Sequence, residues 1–233
     1  MHVTWGLGLA IVLFSSSTRV MADAAEVTSR KVHCGVADRT YLYYSPHRER
    51  ALPAVMLLHG AGDRADNTMD AWKRFAEENE IAVLAPELPR DLKFEEEAPR
   101  VFRCMVEDSK QFVAIDSQRV YIFGNSMGGY LAYDAAMFES QYFAAVAVHA
   151  MRIADEYEWV VSRAERKTPI AIYIGDHDRF FSQQSVRKTR DLLAKSGFPV
   201  HYVEMAHHDH NYYARADEIN ADAWKFLADT HLP

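Results

Sequence analysis

Short, continuously apolar runs alternate along this chain with longer stretches whose apolar residues recur every three or four positions. Ala54-Val55-Met56-Leu57-Leu58 reads as a strand buried on both faces, and Ile81-Ala82-Val83-Leu84-Ala85, Val120-Tyr121-Ile122-Phe123, Phe143-Ala144-Ala145-Val146-Ala147-Val148 and Ile170-Ala171-Ile172-Tyr173-Ile174 read as further strands. Residues 200–204 read as the last strand, and residues 39–44 alternate like an early, half-exposed one. Helical spacing predicts helices over residues 67–79, with Trp72, Phe75 and Ala76 facing inward, and over 101–115, 129–137, 183–195 and 216–229. Residues 87–99 are polar and proline-bearing and read as a loop, with Glu95-Glu96-Glu97 as a solvated acidic patch. Strand–helix alternation of this kind predicts an α/β fold: a mostly parallel sheet flanked by helices on both faces. Ligand sites on such sheets lie at the carboxyl ends of the strands.

The N-terminus stands outside this pattern. An apolar run, Val3 to Phe14, is followed by Ser15-Ser16-Ser17-Thr18 and then by Val20-Met21-Ala22. This reads as a secretory signal peptide over residues 1–22, leaving 23–233 as one catalytic domain. The run is short for a membrane span, so no stable membrane association is expected once it is cleaved. The n-region carries no Lys or Arg, which makes an uncleaved N-terminal anchor the competing reading. The expected location is secreted or periplasmic. In that setting Cys34 and Cys104, the two cysteines of the chain, form either one disulfide or two buried thiols. A net charge of −7 without a basic block argues against nucleic acid as a partner.

The chemistry concentrates at strand ends. Gly124-Asn125-Ser126-Met127-Gly128 lies between a strand and a helix, the context in which G-x-S-x-G forms a nucleophile elbow. A serine hydroxyl needs a base, and the base needs an orienting acid. After the strand at 170–174 comes Gly175-Asp176-His177-Asp178; Asp178 is the favoured acid and Asp176 the alternative. After the last strand comes His207-His208-Asp209-His210-Asn211-Tyr212-Tyr213, which holds the base. The same H-H-D-H run would also suit a metal, but that reading leaves the serine and Asp178 motifs unexplained. His33, His47, His149, His201 and His231 lack a motif and read as surface or packing residues. Oxyanion donors are expected from the backbone of Ala61 or Gly62, in His59-Gly60-Ala61-Gly62, and of Met127, with His59 bracing the loop.

Together these residues resemble the α/β-hydrolase superfamily. The run from Ile115 to Gly129 and the strand Phe143-Ala144-Ala145-Val146 are similar to secreted esterases of the feruloyl esterase and poly(3-hydroxybutyrate) depolymerase type. Asp209-His210-Asn211-Tyr212-Tyr213 and Asp178-Arg179-Phe180-Phe181 resemble the histidine and acid segments of the esterase D group. That resemblance implies His210 as the base; a G-H pair in other esterases would imply His208, but His207 stands where the glycine would be. The implied protein is a serine hydrolase with Ser126, His210 and Asp178, without metal or organic cofactor, acting on small-molecule or polymer-linked carboxylic esters. A short cap is expected where only residues 149–169 separate two strands. The competing classes are a serine peptidase of the prolyl-oligopeptidase type and a non-catalytic hydrolase-fold binding protein.

Overall fold

A computed structural model describes His2 and residues 26–88 and 95–233 of the chain. The expected signal peptide lies outside the described residues, His2 apart. Strands β1 (Thr28–Cys34), β2 (Ala37–Tyr44), β3 (Leu52–Leu58), β4 (Ala82–Pro86), β5 (Ile115–Asn125), β6 (Ala145–His149), β7 (Ile170–Gly175) and β8 (Val200–Met205) form one sheet. Its order is β1-β2-β4-β3-β5-β6-β7-β8. Only the pairings of β1 with β2 and of β2 with β4 are antiparallel. This is the mostly parallel α/β-hydrolase sheet that the alternating pattern predicts.

The helices are α1 (Ala65–Glu78), α2 (Glu97–Ser109), α3 (Met127–Phe138), α4 (Gln183–Lys195) and α5 (Ala216–Ala228). They cover both faces of the sheet, and the period-two geometry of a strand divides the core accordingly. In β3, Ala54, Met56 and Leu58 belong to the core cluster that also holds Phe102 of α2, Leu131 of α3 and Leu193 of α4. Val55 and Leu57 point the other way, into the cluster that holds Trp72 of α1 and Leu227 of α5. Strands buried on both faces need no polar alternation, which is why β3, β4 and β6 read as unbroken apolar runs. In α1, Trp72 and Ala76 are fully buried and Phe75 packs edge-on against Trp72 at 5.8 Å.

The sequence reading departs from the structure in three places. β1 escaped it because alternate positions carry Ser29, Lys31 and His33 toward solvent at the sheet edge. The segment 87–99 is not wholly a loop: α2 begins at Glu97, and Pro99 fits its first turn because an amide there has no intrahelical acceptor to lose. That helix also ends at Ser109, and Ile115 with the polar residues 116–119 already belongs to β5. The acidic patch is partly paired: Glu96 meets Arg100 at 2.8 Å and Arg163 at 3.2 Å, and Glu97 lies 3.6 Å from Arg39.

Cys34 and Cys104 form a disulfide that ties the end of β1 to α2 across a sequence separation of 70. The short cap after β6 is a 3₁₀ segment, Asp155–Arg163. Tyr157 anchors it, stacking on Tyr130 at 5.0 Å and donating its hydroxyl to buried Asp134 at 2.8 Å. Burial pushes the Asp134 carboxyl up to about 7. Among the described residues no helix is long and apolar enough to cross a membrane.

Candidate active site

Parallel strands bring their carboxyl ends to one edge of the sheet, and the expected site residues gather there. β5 passes into α3 through a single residue, Ser126, at φ 52° and ψ −117°. A positive φ is costly for a residue with a Cβ. Its surroundings impose it. The Ser126 amide donates to His149 O at 2.9 Å, and the Gly129 amide donates to Ser126 O at 2.8 Å. The flanking glycines are required by space: a Cβ on Gly124 would stand 2.1 Å from Gly128 O, and one on Gly128 would stand 2.1 Å from Leu58 O. No L side chain fits between strand and helix at either point.

Ser126 Oγ donates to His210 Nε2 at 2.9 Å, and His210 Nδ1 donates to Asp178 Oδ2 at 2.7 Å. The Asp178 side chain is fully buried and His210 is 22% exposed. The second carboxylate oxygen of Asp178 accepts the amides of Phe180 at 2.8 Å and Phe181 at 2.9 Å. Burial alone would raise the Asp178 carboxyl; the hydrogen bonds from His210, Phe181 and Phe180 outweigh it and hold the group below its ordinary value. The carboxylate is thus charged and fixed, and it dictates which imidazole nitrogen carries the proton. Asp176, the alternative acid, instead accepts the His208 amide at 3.3 Å.

His208 is buried and its ring meets His149. Its Nε2 lies 2.9 Å from His149 Nε2, and His149 Nδ1 lies 2.8 Å from Asn125 Oδ1. Asn125 Oδ1 can only accept, so His149 carries its proton on Nδ1 and His208 donates to the bare Nε2 of His149. Burial drives both imidazoles toward the neutral form, His149 down to about 3. His149, read from sequence as a surface or packing residue, therefore sits under the elbow in a buried polar chain. Asn125 and His149 are register partners at the ends of β5 and β6. A histidine at the carboxyl end of a buried strand beside the elbow was the signal available for it.

Gly60 is the residue of the 59–62 loop that backs the elbow: a Cβ there would lie 3.5 Å from Ser126 Cβ. Ala61 and Gly62 follow in an exposed turn closed by Asp63 N to Gly60 O at 3.2 Å, with Gly62 at φ 75°. Leu88 N donates to His59 Nε2 at 3.3 Å, so His59 Nδ1 carries the proton and donates to Gly60 O at 2.8 Å, bracing the loop as expected. The Tyr213 hydroxyl donates to Asp63, tying this loop to the one that bears His210. Met127 is the first residue of α3, so its amide is one of those without an intrahelical acceptor. A cleft of about 780 Å³ opens over His210, lined also by His177, Arg179, Phe180, Asp209 and Asn211. The Phe180 ring, 75% exposed, covers His210 at 4.6 Å.

No curated protein matches the chain in sequence. Among solved structures it is similar to an S-formylglutathione hydrolase from Staphylococcus aureus, with a TM-score of 0.74 and 16% identity over 87% of this chain and 99% of that one. A second S-formylglutathione hydrolase, from Agrobacterium tumefaciens, gives a TM-score of 0.68 and 19% identity over 91% and 97%. A thermostable esterase gives a TM-score of 0.68 and 22% identity over 90% of this chain, which spans 64% of that protein's length. At such identities the likeness is one of fold. The dienelactone hydrolase family matches residues 39–228, most of the chain, and this protein belongs to that family.

Proposed function

We propose that this protein is an exported serine hydrolase that cleaves carboxylic esters through an acyl-enzyme, with Ser126 as nucleophile, His210 as base and Asp178 as orienting acid. One observation carries the reading: an unbroken hydrogen-bonded chain from Ser126 Oγ through His210 to Asp178, built on a strained elbow. Ser126 Oγ attacks the ester carbonyl while His210 Nε2 takes its proton. The tetrahedral oxyanion is held by the amides of Met127 and of Ala61 or Gly62; one such donor is typically worth about 10²–10³ in rate. His210 then gives its proton to the leaving alcohol. Water, deprotonated by the same imidazole, releases the acid and restores Ser126. A cysteine nucleophile is not available, since both cysteines are joined in the disulfide.

Family membership and the esterase neighbours support ester chemistry. The short cap and the open cleft favour soluble or polymer-linked esters with short acyl groups, in line with the secreted esterase type that the elbow sequence resembles. The test is hydrolysis of p-nitrophenyl acetate, butyrate and longer esters by residues 23–233, beside Ser126→Ala and with a fluorophosphonate probe. Activity and labelling lost in the variant, with acetyl and butyryl esters turned over fastest, is the expected result. Equal rates in the two proteins would overturn the nucleophile. A strong preference for long acyl chains would overturn the open-pocket reading.

A further inference from the structure

Two histidines and a carboxylate converge beside the cleft and take no part in the Ser126–His210–Asp178 chain. Asp176 and His177 follow β7 directly, and His207 lies in the turn after β8. All three are exposed, and their candidate ligand atoms lie within 4.8 Å of one another. The His177 and His207 rings meet edge-on, with centroids 5.8 Å apart and planes at 65°. His177 Nε2 stands 4.0 Å from Asp176 Oδ1.

The backbone beneath them is already fixed. Asp176 N donates to Met205 O at 3.1 Å and His177 N to His208 O at 2.9 Å, zipping the two loops together. The loops approach so closely at Gly175 that a Cβ there would stand 1.9 Å from His208 O. His207 is held at φ 54°, an uncommon conformation for a residue with a Cβ, in the same turn. The other two histidines of the run are committed elsewhere: His208 to His149 and His210 to Ser126 and Asp178.

We propose that Asp176, His177 and His207 bind a divalent transition-metal ion such as Zn²⁺, two imidazoles and one carboxylate leaving the remaining coordination positions open. Imidazole nitrogen and carboxylate oxygen suit this class of ion. Tetrahedral Zn²⁺ with bonds of about 2.0–2.1 Å sets its ligand atoms about 3.4 Å apart. The three side chains must therefore draw together by roughly 1 Å, which rotation about the side-chain torsions of exposed imidazoles supplies. The ion would bridge the loop that carries Asp178 to the loop that carries His210. His177 also lines the cleft with Arg179 and His210, so the open positions lie at its rim.

The test is titration of Zn²⁺ into the untagged chain by isothermal calorimetry at neutral pH. One equivalent is expected to bind. His177→Ala and His207→Asn are each expected to weaken it about tenfold or more; Asn is chosen because it tolerates the left-handed backbone. His210→Ala is expected to keep the full equivalent. No binding up to about millimolar Zn²⁺, binding undiminished in both the His177 and His207 variants, or loss in His210→Ala alone would overturn the proposal. Because the readout is stoichiometry and not turnover, its outcome is independent of the esterase reading.

Discussion

Replacing His149 by Phe isolates the buried polar chain beneath the elbow. The ring is kept, so packing changes little, but two partners are orphaned: Asn125 Oδ1 loses its donor and His208 Nε2–H its acceptor. Each buried unsatisfied group costs about 1–3 kcal/mol, so His149→Phe is expected to lose about 3 kcal/mol at about pH 8. For a chain of this size that lowers Tm by roughly 6–12 °C. The pH dependence adds a second, sharper check. Burial takes His149 from 6.5 down to about 3, so between those values the unfolded chain binds a proton that the folded chain refuses. The stability contributed by neutral His149 is complete above pH 6.5 and is lost as pH falls toward 3. Phe has no such linkage. The gap between wild type and variant should therefore close by about 3 kcal/mol between pH 6.5 and about pH 4, with contributions common to both proteins cancelling. Urea unfolding at both pH values measures it. A variant as stable as wild type at about pH 8, or a gap that does not narrow in acid, would refute the account of this chain.

Asp178→Asn is expected to lower kcat for ester hydrolysis by about 10⁴, with little change in KM, because Asn supplies no charge and favours the wrong imidazole tautomer; a drop of less than about tenfold would exclude Asp178 as the acid. Gly128→Ala, whose Cβ would stand 2.1 Å from Leu58 O, is expected to yield an inactive protein, with circular dichroism and denaturation reporting any loss of stability. Cys34→Ser with Cys104→Ser releases a loop closed across 70 residues and is expected to cost about 4 kcal/mol in urea unfolding. Asp134→Asn removes a carboxyl raised from 3.8 to about 7, where the folded state binds the extra proton. Wild-type stability from this group is present below pH 3.8 and is lost as pH rises to about 7, and the variant's stability curve should lack that decline.

Much of the site is readable in the chain because its chemistry depends on local context. Strand, tight turn and helix must follow one another directly around Ser126, and Gly124 and Gly128 are demanded by contacts that no other residue satisfies. Asp178 and His210 lie beyond the ends of apolar runs, so position and resemblance single them out. What resists reading depends on distances between segments remote in sequence. His149 is marked only by its place at the end of an apolar strand, and its partners Asn125 and His208 are 24 and 59 residues away. The disulfide was undecided for the same reason, because spacing in sequence does not say whether two cysteines meet. β1 is obscured by its position at the sheet edge, where the polar side chains of Ser29, Lys31 and His33 take every outward place.

The zipped loops after β7 and β8 join Asp178 and His210 in one hydrogen-bonded unit, although they stand 32 residues apart in the chain. Ser126 belongs to another unit, the β5–α3 elbow. Any displacement of the unit that carries Asp178 and His210 therefore keeps the imidazole correctly protonated and oriented while changing its separation from Ser126 Oγ. Substitutions in either loop at positions other than Asp178 and His210 should retain the pairing of those two residues and fail, when they fail, at proton transfer from the serine. The vulnerable joint of this site is the hydrogen bond from Ser126 Oγ to His210 Nε2, which crosses between the two units.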